Sequence, residues 1–327
     1  MPFDNFEKND LKKVNLLLMI FITAIAAAVT LFMPFLNFAG LGFLPVPAVL
    51  LLSLNRIRDA VICAVAGLLF LFIFNYILAI VILAIVIAVA FNYRHIIRTR
   101  RKAVYILGTC FLIFASSAAL FLLINSALFQ QNYFKEMLTA YNVYVDGLAG
   151  DPLLQSYAGL MFTGAGQYQD LIMQTQSFLR FVPKIFPGLL AVFFGLVSLA
   201  NYYFSYFMLK KYGIFIDELK KFKEWDLHWC WCWGVIAGIA MVVIPSFNSR
   251  LDPLIDIAGY NLIIIFGFLY LMLGMAVLWG LLEKFNVRNA IRYIIVIAVF
   301  FIFGLIFLPA LGLIDIWANF RKLKRSQ

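Results

Sequence analysis

The chain has 327 residues, of which 65% are hydrophobic, 17% aromatic and only 13% charged, with a formal net charge of +10. Soluble proteins carry about 25% charged residues, so this composition excludes a water-soluble fold. Several apolar runs exceed the ~18 residues that mark a spanning helix. The pattern is that of an all-α polytopic integral membrane protein with about eight or nine transmembrane helices. The basic residues sit at the ends of the apolar runs, where they orient spans and meet anionic headgroups. No basic stripe alternates with a stacking platform, so the lipid bilayer, and no nucleic acid, is the expected partner.

A first helix is predicted over about Val14–Met33, closed by Met33-Pro34. Ala24-Ile25-Ala26 has the small-x-small form of a cleavage site, but apolarity runs on to Phe35, which predicts a retained span. Ala24 and Ala28 also have the small-xxx-small spacing that lets a partner helix approach closely. A short second run, Leu41–Leu54, opens on Leu44-Pro45-Val46-Pro47, as a helix start or a re-entrant segment does. Arg56 and Arg58 mark a cytoplasmic turn. Asp59–Phe91 is too long for one span, and Asn75-Tyr76 is the expected turn within it.

Tyr93–Lys102 then carries Arg94, Arg98, Arg100, Arg101 and Lys102 with no acid. Such clusters stay in the cytoplasm, which predicts a cytoplasmic N-terminus and a cytoplasmic 92–102 loop in a bacterial inner membrane. A fifth helix follows over Ala103–Phe129, completing an N-terminal five-helix bundle (1–129). Residues 130–180 form the long polar segment, richer in acids than bases and in tyrosines than prolines. They are expected to fold as an extracytoplasmic helical cap. Residues 181–327 supply the C-terminal helices: a sixth over Phe181–Leu209, a seventh over Leu227–Ile244, an eighth over Ile257–Leu282 and a ninth over Tyr293–Leu313, with a basic tail. Lys210, Lys211, Lys220, Lys221 and Lys223 place one loop inside, and Lys284, Arg288 and Arg292 another. Nine spans put the tail outside, whereas Arg321-Lys322-Leu323-Lys324-Arg325 belongs inside. Either Pro309-Ala310-Leu311-Gly312 turns the chain back or an early run does not span.

His228-Trp229-Cys230-Trp231-Cys232 has metal-ligand residue types, but structural zinc takes four ligands and His95 is the other histidine of the chain. The tryptophans here read as an interfacial belt. Neither a metal nor any other cofactor is expected, and with no nucleophile–base pair the chain is not expected to be an enzyme. No phosphate-binding Gly-rich loop is present, so energy from nucleotide has to come from elsewhere. Polar residues inside spans are costly and informative. Hydroxyls such as Thr23, Thr30 and Ser198 bond back to their own helix, whereas Asn75, Asn125, Asn201 and Asn261 either join helices or touch a ligand. The candidate ligand site is Asn75 and Asn125 beneath Tyr141, Tyr144, Tyr157 and Tyr168 of the cap. Asp315 and Arg321, six residues apart around Trp317, are expected to form an interfacial ion pair that anchors the tail.

Phe222-Lys223-Glu224-Trp225-Asp226-Leu227, the stretch Asn261–Leu282 and Leu311-Gly312-Leu313-Ile314-Asp315-Ile316-Trp317, closing with Asn319-Phe320-Arg321-Lys322, resemble the YybS-like bacterial membrane proteins, a domain of unknown function. The resemblance covers about residues 12–324, with His228 where that family has a proline. By fold, the family is similar to the substrate-binding components of energy-coupling-factor transporters. That likeness implies a small-ligand-binding component that docks on a separate ATPase and coupling partner. The chain departs from those components by about three extra C-terminal helices and a large outer segment. The alternative is a membrane scaffold or envelope-assembly partner without transport activity.

Overall fold

The computed structural model describes residues 14–130, 132–153, 155–156, 165–244 and 252–323, and no strand occurs among them. The helices are α1 (Leu16–Phe32), α2 (Asn37–Phe43), α3 (Val46–Ser53), α4 (Ile57–Gly67), α5 (Leu71–Phe74), α6 (Tyr76–Thr99), α7 (Ala103–Phe129), α8 (Tyr133–Gly147), α9 (Ala165–Lys211), α10 (Cys232–Val243), α11 (Asp252–Lys284), α12 (Asn289–Phe303) and α13 (Phe307–Ala318). The chain divides into two compact units, Met1–Met137 with Phe193–Leu219, and Leu138–Val192 with Lys220–Gln327. The sequence division at residue 180 falls inside α9, which is continuous through Pro183 and Pro187. At ~1.5 Å per residue, α9 is about twice as long as a ~30 Å bilayer core is thick, so part of the expected cap is an extension of a spanning helix.

In the first unit, α1 starts where the Asn15 side chain accepts from Leu17 N and ends at Met33, because a residue before proline is driven out of the helical region. Its Met19, Thr23, Ala26 and Ala27 face is buried, while Leu17, Phe21, Ile25 and Phe32 are exposed, as a lipid-facing stripe is. Between α2 and α3 the hydrogen-bond ladder is interrupted at Leu44-Pro45 while the backbone stays helical, and Pro34–Ser53 is one apolar stretch of 20 residues. Pro45 and Pro47 bring no N–H, so the carbonyls four residues earlier lose their helical donors. This segment is enclosed, with Val46, Val49 and Leu50 fully buried. The helix ends that carry the basic loops meet at one end of the unit. Arg56 Nη1 donates to Val14 O (2.9 Å), Arg94 and Arg98 both donate to Asn55 Oδ1 (3.1 Å each), and Ala103 N donates to Asp217 Oδ2 (3.0 Å).

In the second unit, Tyr270, Leu273 and Ile316 form a core with Leu227, Val235 and Leu313 against it. Here α11 and α13 cross with their backbones touching. A Cβ added at Gly274 would lie 1.9 Å from Leu308 O, and one at Gly312 would lie 2.3 Å from Tyr270 O. The expected ninth span is two helices, α12 and α13, bent by 111° at residues 304–306. With 12 residues, α13 is ~18 Å long, too short to cross by itself. Among the described residues, five helices are long and apolar enough to cross a membrane, or six if the bent pair is one span. Two shorter apolar helices, Leu16–Phe32 and Trp229–Val243, accompany them.

Candidate functional site

Three polar places stand out in this apolar fold. The first is a seam inside the first unit. Asn201 on α9 is 0% exposed, donates Nδ2 to Gly42 O (2.8 Å) just before the interruption between α2 and α3, and accepts from the Cys110 thiol on α7 (3.8 Å). Asn92 on α6 donates to Thr109 Oγ1 (2.8 Å) and reaches Cys110 Sγ (3.6 Å). Four helices are thereby tied by polar groups, of which Asn201 and Cys110 are buried, and a buried polar group costs free energy unless it is satisfied.

The second place is a knot at the end of the chain. Asp315 is 0% exposed and pairs with Arg321 (2.8 Å), which is 3% exposed. Arg321 Nη1 donates to Lys223 O (2.7 Å) and Trp225 O (2.8 Å), its Nη2 lies 3.9 Å from Asp226 Oδ1, and Asp315 Oδ1 accepts from Phe320 N (2.8 Å). The planar fork of arginine suits this many acceptors at once. A buried pair gives little net stability by itself, but each partner depends on the other.

The third is an open cleft of about 390 Å³ beside the knot, lined by Lys221, Phe222, Lys223, Trp279, Glu283, Asn289 and Arg292. Glu283 holds Lys223 through Oε1 and Arg292 through Oε2 (3.2 Å). The Arg292 guanidinium lies over the Trp279 ring (5.8 Å to its centroid), and Tyr293 meets that ring edge-on. Lys223 joins knot and cleft, since its carbonyl serves Arg321 and its ammonium serves Glu283. The Phe222–Leu227 and Leu311–Lys322 stretches and the end of the Asn261–Leu282 stretch, far apart in sequence, thus converge here.

A model of the family described as predicted membrane protein, DUF2232, matches residues 21–316. The chain belongs to this family. No curated protein and no solved structure matches it.

The DUF2232 chain places the expected ligand residues as follows. Asn75 is exposed and caps α6, accepting from Leu78 N (2.9 Å), while Asn125 is buried and donates back to Phe121 O (2.7 Å). Counting equally along α6 and α7 from the Asn92–Thr109 bond brings both to about the same level of the hairpin. Tyr141 and Tyr144 lie on α8 three residues apart, which puts them on one side of it. The Tyr141 hydroxyl donates to Leu179 O (2.9 Å), and Tyr144 lines a shallow cleft of about 250 Å³ with Gly147, Leu148, Gly150 and Asp151. Tyr168 is on α9, and Tyr157 lies outside the described residues. The two asparagines belong to the first unit and the three described tyrosines to the second.

Ala24 and Ala28 are half-buried beside the exposed stripe of α1 rather than on its buried face. Trp317 is exposed next to the buried Asp315. His228 is exposed and caps the short turn Trp229–Trp231 by accepting from Cys230 N (3.3 Å). Asn261 joins α11 to α9, donating to Lys184 O (2.8 Å) and accepting from Gly188 N. Sequence reading named Asn201, Asn261, Asp315 and Arg321. It missed Asn92, Cys110, Glu283 and Trp279, because residue type alone does not show which helix faces meet.

Proposed function

We propose that the chain is a multi-pass protein of a bacterial inner membrane, with its N-terminus and 92–102 loop in the cytoplasm, that serves as the small-ligand-binding component of a transport assembly energised by a separate ATPase. The observation that carries this reading is the enclosed, proline-interrupted α2–α3 segment, with Asn201 bonded to Gly42 O just before the interruption. Prolines inside membrane helices are tolerated where neighbouring groups satisfy the freed backbone, and proline-interrupted apolar segments mark substrate and ion sites in transporters. The missing nucleotide-binding loop supports an external source of energy.

The test is a thermal-shift screen of the detergent-purified protein against vitamins, nucleosides, metals and lipid precursors. A ligand that binds only the folded state stabilises it by about 2.7 kcal/mol at a hundredfold excess over Kd. A saturable hit that Asn201→Ala weakens, with an ATPase that copurifies with the wild-type chain, supports the reading. A silent library together with partners confined to envelope-assembly proteins would overturn it in favour of the scaffold.

A further inference from the structure

We infer that the cleft of the second unit binds a phosphate-bearing group at the membrane surface, presented either by an anionic phospholipid headgroup or by a free phosphate compound. This goes beyond the transport reading and does not depend on it.

The charge balance comes first. Lys221, Lys223 and Arg292 line the cleft against a single carboxylate, Glu283. Both oxygens of that carboxylate are already engaged, one by Lys223 and one by Arg292. Glu283 therefore positions two cations without neutralising the wall. Arginine and lysine held in this way are the groups that recognise phosphate.

The helix start is the second, independent observation. Asn289 begins α12 and lines the cleft. The N-cap residue is Arg288, no side chain caps the helix, and its first turn carries no acid. A helix N-terminus presents free N–H groups and about half a positive charge, and it favours an anion. Here Arg288 and Arg292 add like charge to that end instead, which is unfavourable until an anion arrives. Phosphate at a helix N-terminus resolves both deficits at once.

Arg292 is also held in place. Its Nε donates to Val287 O (2.6 Å) and its Nη1 to Glu283, with the guanidinium against the Trp279 ring. A cation fixed in this way gives up little freedom when it meets its ligand. At about 390 Å³ the cleft falls in the range of small-ligand sites, with room for more than the phosphate itself. It lies where α11 ends at Lys284 and α12 begins at Asn289, at the charged ends of two apolar helices, the level at which basic residues of membrane helices meet headgroups. Basic pockets at that level are the usual recognition sites for anionic lipid.

The experiment uses the full chain in detergent with two probes, phosphatidylglycerol followed by native mass spectrometry and inorganic pyrophosphate followed by titration calorimetry. Wild type is expected to retain at least one probe saturably. Lys221 is exposed, so Lys221→Gln leaves the fold intact and is expected to weaken binding about fivefold; adding Arg292→Gln weakens it further. A melting curve recorded for each variant separates lost binding from lost folding. Lys211→Gln removes the same charge elsewhere and should change nothing. Retention of the lipid alone assigns the headgroup as the source, and binding of pyrophosphate alone assigns a free compound. Failure of wild type to hold either probe, or equal weakening by Lys211→Gln and Lys221→Gln, would overturn the proposal.

Discussion

Arg321→Ala removes a guanidinium that is 3% exposed and leaves Asp315, 0% exposed, without its cation. The carbonyls of Lys223 and Trp225 lose their donor at the same time. Breaking a buried pair from one side costs about 3–5 kcal/mol, because the remaining charge is neither solvated nor paired. Asp315→Leu strands Arg321 in the same way and should cost a similar amount. The double variant Asp315→Leu/Arg321→Ala leaves no buried charge. It should therefore cost no more than either single change, a coupling on the order of 3 kcal/mol. Arg321→Lys keeps the charge but loses the fork that serves a carboxylate and two carbonyls together, so it should fall between wild type and Arg321→Ala. The assay is equilibrium unfolding in detergent for all five proteins, with hydrogen exchange followed over residues 307–323 to locate the loss. An Arg321→Ala protein within 0.5 kcal/mol of wild type, or single effects that simply add in the double variant, would refute the reasoning.

Two further outcomes follow from the same geometry. Gly274→Ala places a methyl 1.9 Å from the Leu308 carbonyl and must push α13 off α11, costing about 1–3 kcal/mol; Gly108→Ala meets nothing within 4 Å and should stabilise by about 0.5–1 kcal/mol in the same melting assay. The Glu218 carboxyl is held below its ordinary range, first by the Tyr206 hydroxyl and then by Lys210. A carboxyl depressed on folding adds its stability in full above its unfolded value, and that stability disappears as pH falls through the lower folded value. Removing the Tyr206 hydroxyl with Tyr206→Phe should therefore flatten the acid limb of the melting profile, and an unchanged limb would show that this contact is not formed.

The spans were legible where composition changes abruptly. Met33-Pro34, Asn75-Tyr76 and Lys284 all lie at helix boundaries, since proline, a capping asparagine and a charge each end or begin helices for local reasons. Two features were not legible. The bend at residues 304–306 lies within a run that stays apolar from Ile294 to Leu308, so hydropathy carries no mark of it. The continuity of α9 through Pro183 and Pro187 was hidden by the usual rule that proline belongs in a first turn; in membrane helices the lost bonds are compensated by neighbours. The ion pair of the tail was readable as a pair, but its burial was not. Burial depends on Lys223 and Trp225, nearly a hundred residues away, and no local pattern encodes that meeting.

The bend also bears on the conflict in the sequence count. If residues 293–313 formed one span, the tail would leave from the opposite end to Arg292. Instead, Arg321 bonds the carbonyls of Lys223 and Trp225, Lys223 bonds Glu283, and Glu283 bonds Arg292. The start of α12 and the end of α13 are therefore at the same end of the second unit, and the two helices go out and return. Lys220, Lys221, Lys223, Lys284, Arg288, Arg292, Arg321 and Lys322 then gather at that end. Of the two alternatives in the sequence, a turn near the end of the chain and an early run that does not span, the bend is of the first kind. The hinge is Gly304–Ile306 rather than Pro309–Gly312, since Pro309 sits in the first turn of α13, where its missing N–H costs nothing.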